Sequence, residues 1–528
     1  RHALRHRERP AECEGNLMIN NMDLIREKLA YHHTATDDEI IKTVLKNARE
    51  DPEYLAACEG LRYYRGMQDI LQKDFRETVV YEEDENSPAG IKRGGVKIIN
   101  ENNSNHHNVH NFHALMVDQK VAYILGKPLS VSVEGANDGA GGADESLKAF
   151  EDAVTAVTSD EAFVDMLPDL ATNASNCIVG WLHVYYSAAG KLCFVVIPTT
   201  ECIACRDMSY QQVITDFFRH YKITVVQNGT ETERERVEWW TATGVKRYVE
   251  NDAGEFVLES NSPHWYNEQI INDERVSVEA KSWGRIPFVP LYNNSAHQTD
   301  LSRIKGLLDA YNLISSASTN NQIDLVELYW MIQGYGGETA KAIQQKLQIN
   351  KAVSISDPSG KISAEQVTLN VTERLAWLDM LRRDIYHIGR GIDMNDEKLG
   401  SAPSGVSLKF RYTLLDLKAD PLVSKLKVML KELSWFITQD INLKNGTDYD
   451  YTLIKYDVHK SMIVNDAETV DIIQKSQGLV PDKMLLAKHP FVDDVAQAYE
   501  ELQKQREEKA KMFIGDDDDK DDSEKDDE

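Results

Sequence analysis

The sequence has no run of eighteen or more apolar residues, so it offers no helix that would cross a membrane. Cysteine is scarce: Cys13, Cys58, Cys177, Cys193, Cys202 and Cys205 are the six in 528 residues. A chain this long buries a core without disulfides, and reduced thiols are the expectation. Positive charge is in deficit. Lys and Arg number 59 against 86 Asp and Glu, a net charge of −27, and proteins that grip phosphate need clustered cations. The phosphate-binding loop of nucleotide hydrolases is missing: Gly126-Lys127 is followed by Pro128, where that loop needs Ser or Thr. No G-x-S-x-G elbow is present either. The N-terminal RHALRHRERPAECEGNL is basic but has no apolar core, so it does not read as a secretory signal, and Met18 and Met22 are plausible starts.

What is present is a mixed α+β chain of three or four domain-sized stretches. Residues 20–75 read as helical, with Thr36-Asp37-Asp38-Glu39 as a helix start before Ile40, Ile41, Val44 and Leu45. Residues 109–125 read as an amphipathic helix with Val109, Phe112, Met116, Ala122 and Tyr123 on its apolar face. Another helix is expected over 147–170. Residues 178–289 alternate as strands do, with a first turn at Ala189-Gly190.

From Asp300 the pattern is helical again, with Leu301, Ile304, Leu308 and Tyr311 on one face. The small polar run SSASTNN after it suits a helix packed closely against copies of itself. An insert over 334–370 reads as a short helix and two strands joined at Pro358-Ser359-Gly360. Leu375, Leu378, Leu381, Ile385 and Ile388 mark a second long helix, a Gly/Ser/Pro loop follows, and a further helix from Gly405 is interrupted at Pro421. The terminal GDDDDKDDSEKDDE carries ten acids and self-repels.

Two groups of residues suggest a metal. His106, His107, His110 and His113 form H-H-x-x-H-x-x-H, whose spacing of three would put His107, His110 and His113 near one helix face. Cys202-Ile-Ala-Cys205, with Cys177 and Cys193 upstream, could supply four thiolates. Ordinary buried thiols and a polar helix start explain the same residues, and the expectation is no metal and no cofactor.

Four patches carry a resemblance to a known family: NVHNFHALMVDQKVAYILGKPLSV (108–131), RIPFVPLYNN with DLSRIKGLLDAYN (285–312), IGRGIDMNDEKLGSAPSGVSLKF (388–410) and NDAETVDIIQKSQGLVPDKMLLAKHPFVDD (465–494). In this order they resemble the portal proteins of tailed bacteriophages, of the type found in siphophages of Gram-positive bacteria.

The resemblance implies a portal-type subunit with a mainly helical crown, an α/β wing, a two-helix stem and a small α/β clip. On that reading 1–17 is an upstream or disordered segment and 18–299 the wing. The first stem helix is 300–325, the clip 326–371, the second stem helix 372–392 and the tunnel loop 393–404. A kinked wing helix over 405–443, a crown over 444–514 and an acidic tail over 515–528 complete it. The implied function is a dodecameric ring at a capsid vertex, through which double-stranded DNA passes without sequence specificity, and not catalysis. The implied partners are the terminase large subunit, major capsid and scaffold proteins, and head-completion adaptors. The implied location is the virion, with the host cytoplasm during assembly and no membrane.

For the tunnel loop the candidates are Asn395, Asp396, Glu397, Lys398, Leu399, Gly400 and Ser401. Lys398 would touch phosphate transiently while Asp396 and Glu397 keep contacts weak, and an acidic wall would let DNA slide. Arg374, Asp379, Arg382, Arg383, Asp384 and Arg390 would form intersubunit ion pairs or line the channel. A different head–tail connector or minor head protein is the rival reading, and a metal-dependent cytosolic hydrolase is the rival from another class.

Overall fold

Apolar residues at helical spacing between good caps make the N-terminal part helical. Helix α1 (Met22–Ala30) buries Met22 and Ile25. Helix α2 (Asp37–Glu50) opens at the expected place. Thr36 accepts the Glu39 N–H, and the Glu39 side chain reaches back to the Thr36 backbone. Asp51 caps helix α3 (Pro52–Tyr64), with proline in the first turn where no backbone donor is needed. The computed structural model describes residues 20–30, 35–80, 96–99, 101, 103–136, 145–227, 229–271, 274–324, 329–333, 361–365, 371–393, 405–461, 466–489, 491–492, 495, 498–499 and 501–506. It therefore leaves the expected segment 1–17 and the acidic tail 515–528 outside the described residues.

Strands β1 (Glu77–Val80) and β2 (Val96–Ile99) pair antiparallel. Helix α4 (Phe112–Leu125) starts three residues later than its periodicity predicts, because the Asn111 side chain caps it. Its buried stripe is His113, Met116, Val117, Lys120, Val121, Tyr123 and Ile124, while Ala122 is exposed. Two polar residues, His113 and Lys120, lie in the stripe and were hidden from an apolar count. The single helix expected over 147–170 is two: α5 (Glu145–Thr158) and α6 (Glu161–Cys177). Asp160 breaks the run by accepting the Ala162 N–H, and α6 continues through Pro168.

Between α4 and α5 lies strand β3 (Ser130–Val133). The strand-rich region holds β4 (Val179–Tyr186), β5 (Leu192–Ile197), β6 (Cys202–Arg206), β7 (Ile214–Gln227), β8 (Thr230–Trp240), β9 (Gly244–Glu250), β10 (Phe256–Pro263), β11 (Trp265–Ile271), β12 (Glu274–Lys281) and β13 (Phe288–Tyr292). The first hairpin turns at Gly190, with φ +73°, next to the predicted Ala189. Strands β6 to β10 form an antiparallel meander, and β13, β4 and β5 a second sheet. One face of the meander packs Ile203, Cys205, Phe218, Val237, Trp239 and Tyr248 against α1 and α2. The other packs Cys202, Phe217, Trp240 and Val245 against Trp181, Ile286 and Phe288. The alternation of strand side chains thus fills two cores.

Helix α7 (Lys305–Asp324) follows a short turn at Leu301–Arg303 and buries Leu308, Asn312, Ser316 and Asn320. Its small polar face is taken by the chain's own residues 104–110. Ser104 N–H donates to Asp324, His106 to Asn320, Asn108 to Ser316 and His110 to Asn312, at 2.7–3.0 Å. Side chains every four residues on the helix meet every second residue of an extended segment, since both spacings are about 6–7 Å. The small residues therefore accommodate a strand-like segment on this face of α7.

Strands β14 (Tyr329–Gln333) and β15 (Lys361–Glu365) pair antiparallel. The insert's predicted short helix and its Pro-Ser-Gly turn lie outside the described residues. Helix α8 (Val371–Ile388) buries Leu381 and Ile385 but leaves Leu375, Trp377, Met380 and Ile388 exposed. Helix α9 (Gly405–Asn445) runs through Pro421 without the predicted interruption. Leu422, Leu426, Met429, Leu430, Leu433, Phe436 and Ile437 are buried beyond that proline and hold the helix there. Strand β16 (Ile454–Asp457) pairs with β3.

The described residues within 394–416 and 461–528 cluster as a unit distinct from the rest. Within it lie α10 (Asp466–Lys475) and α11 (Asp482–Leu486), with an ion pair between Arg506 and Asp482 at 2.6 Å.

Candidate functional site

The loop residues singled out in the sequence, Asn395, Asp396, Glu397, Lys398, Leu399, Gly400 and Ser401, lie outside the described residues. The structure describes two points on the helices that flank that stretch, α8 before it and α9 after it. The first is the end of α8. Gly389 and Gly391 abut Met116: a side chain at Gly389 would stand 2.5 Å from the Met116 sulfur, and one at Gly391 2.7 Å from its Cγ. Only glycine lets this backbone approach α4 so closely. Between them Arg390 takes a left-handed φ of +55°. Gln119 on α4 then clasps Ile392 twice: its amide donates to Ile392 O at 2.9 Å and its carbonyl accepts Ile392 N–H at 3.0 Å. Arg382 donates to Asp393 at 2.7 Å.

The second point is Leu417–Lys418 on α9. Arg390 donates to Leu417 O at 2.9 Å, joining the two points directly. Lys418 reaches Asp300 at 3.2 Å, and Lys120 reaches the same carboxylate at 2.9 Å. Lys120 also donates to Asn293 Oδ1 at 2.8 Å, and Asn293 donates to Asp300 at 2.9 Å. Lys120 and Asp300 are buried, with side chains 1% and 8% exposed. Burial alone would raise the Asp300 carboxyl, but Lys120 and Lys418 beside it hold it well below the usual carboxylate range. His113, fully buried close by, is pushed down to about 4 by burial and stays neutral.

Of the stem residues named from sequence, Arg382 and Arg390 are thus engaged within the subunit. Arg374, Asp379, Arg383 and Asp384 lie on α8 and make no hydrogen bond or ion pair among the described residues. Sequence reasoning missed Gln119, Lys120, Asp300 and Lys418. A lysine inside an apolar stripe was the available signal at Lys120. Nothing local marked the others.

Neither candidate metal cluster assembles. His106, His107 and His110 precede α4 in extended chain, so the helical spacing does not apply. His107 bonds Lys73 O, His110 bonds Asn312, and His113 faces the core. Cys202 and Cys205 sit three apart on β6 and point into the cores on opposite faces of the sheet, where they cannot close on one ion. Among the described residues no group of three His, Cys, Asp or Glu could hold a metal, and no helix is long and apolar enough to span a membrane.

Comparison with known proteins places these features in a family. Residues 46–512 match the family described as "Phage portal protein, SPP1 Gp6-like". A portal protein of Clostridium phage phiCD119 is 27% identical over 455 residues, covering 83% of this chain and 89% of that one. The portal protein of Bacillus phage SPP1 is 24% identical over 469 residues, covering 88% and 85%.

Proposed function

The chain belongs to the SPP1 Gp6-like family of phage portal proteins, and we propose that it forms a dodecameric ring whose axis conducts double-stranded DNA into and out of a capsid. A portal protein is a structural component of the phage particle, and no catalytic role is assigned to it. The observation that carries the reading is the family match across 46–512, which spans both long helices, the insert between them and the loop that follows. The ring requires head-to-tail contacts that close. The exposed Leu375, Trp377, Met380 and Ile388 on α8 offer apolar area for such contacts.

In this proposal α7 and α8 are the stem. The insert over 326–371 is the clip that docks the terminase large subunit. The wing over 18–299, with the helix over 405–443, meets major capsid and scaffold proteins, and the residues over 444–514 form the crown. Head-completion adaptors bind after filling. Assembly begins in the host cytoplasm and ends at one vertex of the virion. The loop over 393–404 approaches the DNA, with Lys398 making transient phosphate contacts and the chain's charge of −27 disfavouring adhesion. The bonds at Ile392 and Asp393 support this by holding the chain where it enters the loop, while those at Leu417 and Lys418 hold α9 further along.

Electron microscopy of the purified protein with light scattering on the same sample tests the proposal. Rings with a hole wide enough for a duplex, at twelve times the 59.9 kDa chain mass, are the expected result. A monomer or compact dimer at every salt concentration would overturn it.

A further inference from the structure

A cavity of about 50 Å³ lies where α8, α9 and the turn before α7 meet, lined in part by Asn294, Thr299, Asp300, Arg303, Arg390 and Lys418. That exceeds the roughly 10–15 Å³ a single water-sized group needs. Its charge balance is unusual for a chain of −27. Asp300 is the single carboxylate in the lining. Lys120 and Lys418 already share that carboxylate at 2.9 and 3.2 Å. Arg303 and Arg390 add two guanidinium groups to the lining. Arg303 makes no hydrogen bond or ion pair among the described residues, and Arg390 uses Nη1 on Leu417 O. Among the described residues the remaining donors of both guanidiniums make no hydrogen bond. Three cations against one carboxylate in the lining, with Lys120 behind that carboxylate, leave an excess of positive charge among the described residues.

We propose that this cavity binds a tetrahedral oxyanion, a phosphate group, with Arg303 and Arg390 as its principal donors and Lys418 as a third positive charge. Guanidinium groups present forked donors that match phosphate oxygens. The occupied site would join Arg303, at the entry to α7, to the end of α8 and to Leu417–Lys418 on α9, so binding would stiffen the packing of these three segments. The phosphate could come from free inorganic phosphate or from a DNA backbone, and the size of the cavity favours a group without flanking sugars on both sides. The inference rests on the cavity and its charges, and it stands whether or not the channel reading holds.

The test uses the full chain and inorganic phosphate. Phosphorus NMR at constant ionic strength, with chloride as the balancing anion, is expected to show saturable binding of one phosphate per chain. Arg303→Gln and Arg390→Gln are each expected to weaken it about tenfold or more. Arg303 is exposed and, among the described residues, unpaired, so its variant should fold normally even if Arg390→Gln does not, and Arg303→Lys should retain part of the affinity. No saturable binding, or equal binding by the wild type and the Arg303→Gln variant, would overturn the proposal. In a second arm, a short duplex without terminal phosphates competes with the bound phosphate. Displacement identifies the backbone phosphodiester as the physiological source, and its failure identifies a free or terminal phosphate.

Discussion

Asn320 and His106 pair as two strand residues do. The Asn320 carbonyl accepts the His106 N–H at 2.7 Å, and its amide donates to His106 O at 3.0 Å. A helix side chain thus replaces the partner strand that residues 104–110 lack, with Asn312 and Ser316 repeating the device at helical spacing.

Asn320→Leu should therefore cost about 2–4 kcal/mol, because two backbone groups lose their partners in a largely buried setting. Asn320→Asp should keep the acceptor and lose the donor, and fall between. Thermal or denaturant unfolding measures both. A leucine variant as stable as the wild type would show that the side-chain ladder contributes nothing.

Removing Lys120 should be more damaging than removing a surface lysine. Lys120→Met leaves buried Asp300 with Lys418 as its one remaining cation among the described residues, and breaking one partner of a buried pair costs about 3–5 kcal/mol. Adding Asp300→Asn in the same chain should recover part of the loss. Comparing the unfolding midpoints of the two single variants and the double variant checks the coupling.

His113 predicts a specific loss of stability in mild acid. Its folded value of about 4, set by burial, lies below the ordinary 6.5 of an unfolded histidine. Above pH 6.5 both states are neutral and the contribution is complete. As pH falls from 6.5 to 4 the unfolded chain takes up a proton that the folded chain refuses, so stability declines by about 3 kcal/mol from this residue. Unfolding midpoints between pH 7 and 5 should fall less steeply in His113→Gln than in the wild type. Parallel slopes would remove His113 from the account.

The thiols should divide sharply in reactivity. Burial raises Cys177 to about 12 and pushes Cys202 and Cys205 up further, so their thiolates are scarce at neutral pH. Labelling with a thiol reagent under native conditions, read by peptide mass spectrometry, should spare these three until denaturant is added. Fast native labelling of Cys202 or Cys205 would contradict the packing of β6.

Much of the secondary structure was legible because local physics decides it. The Thr36 capping box, the Gly190 turn and the strand alternation after Cys177 depend on residues within a few positions of one another. The errors have a common origin. Val109–Asn111 were read as helix because the partnership of 104–110 with α7 joins residues more than 200 positions apart. Pro421 was read as an interruption because the sequence does not show how much apolar surface α9 buries beyond it.

The sequence by itself determined the mixed α+β class, two long helices on either side of an insert, and the family to which the chain belongs. Each is carried by residue type and short-range spacing. The tertiary structure alone decided which charged residues are spent inside the subunit. Lys120, Asp300 and Lys418 come from three distant segments and meet only after α4, the turn before α7 and α9 have packed. Buried ion pairs depend on desolvation and on distances of a few ångströms, and neither is encoded in the spacing of residues along the chain.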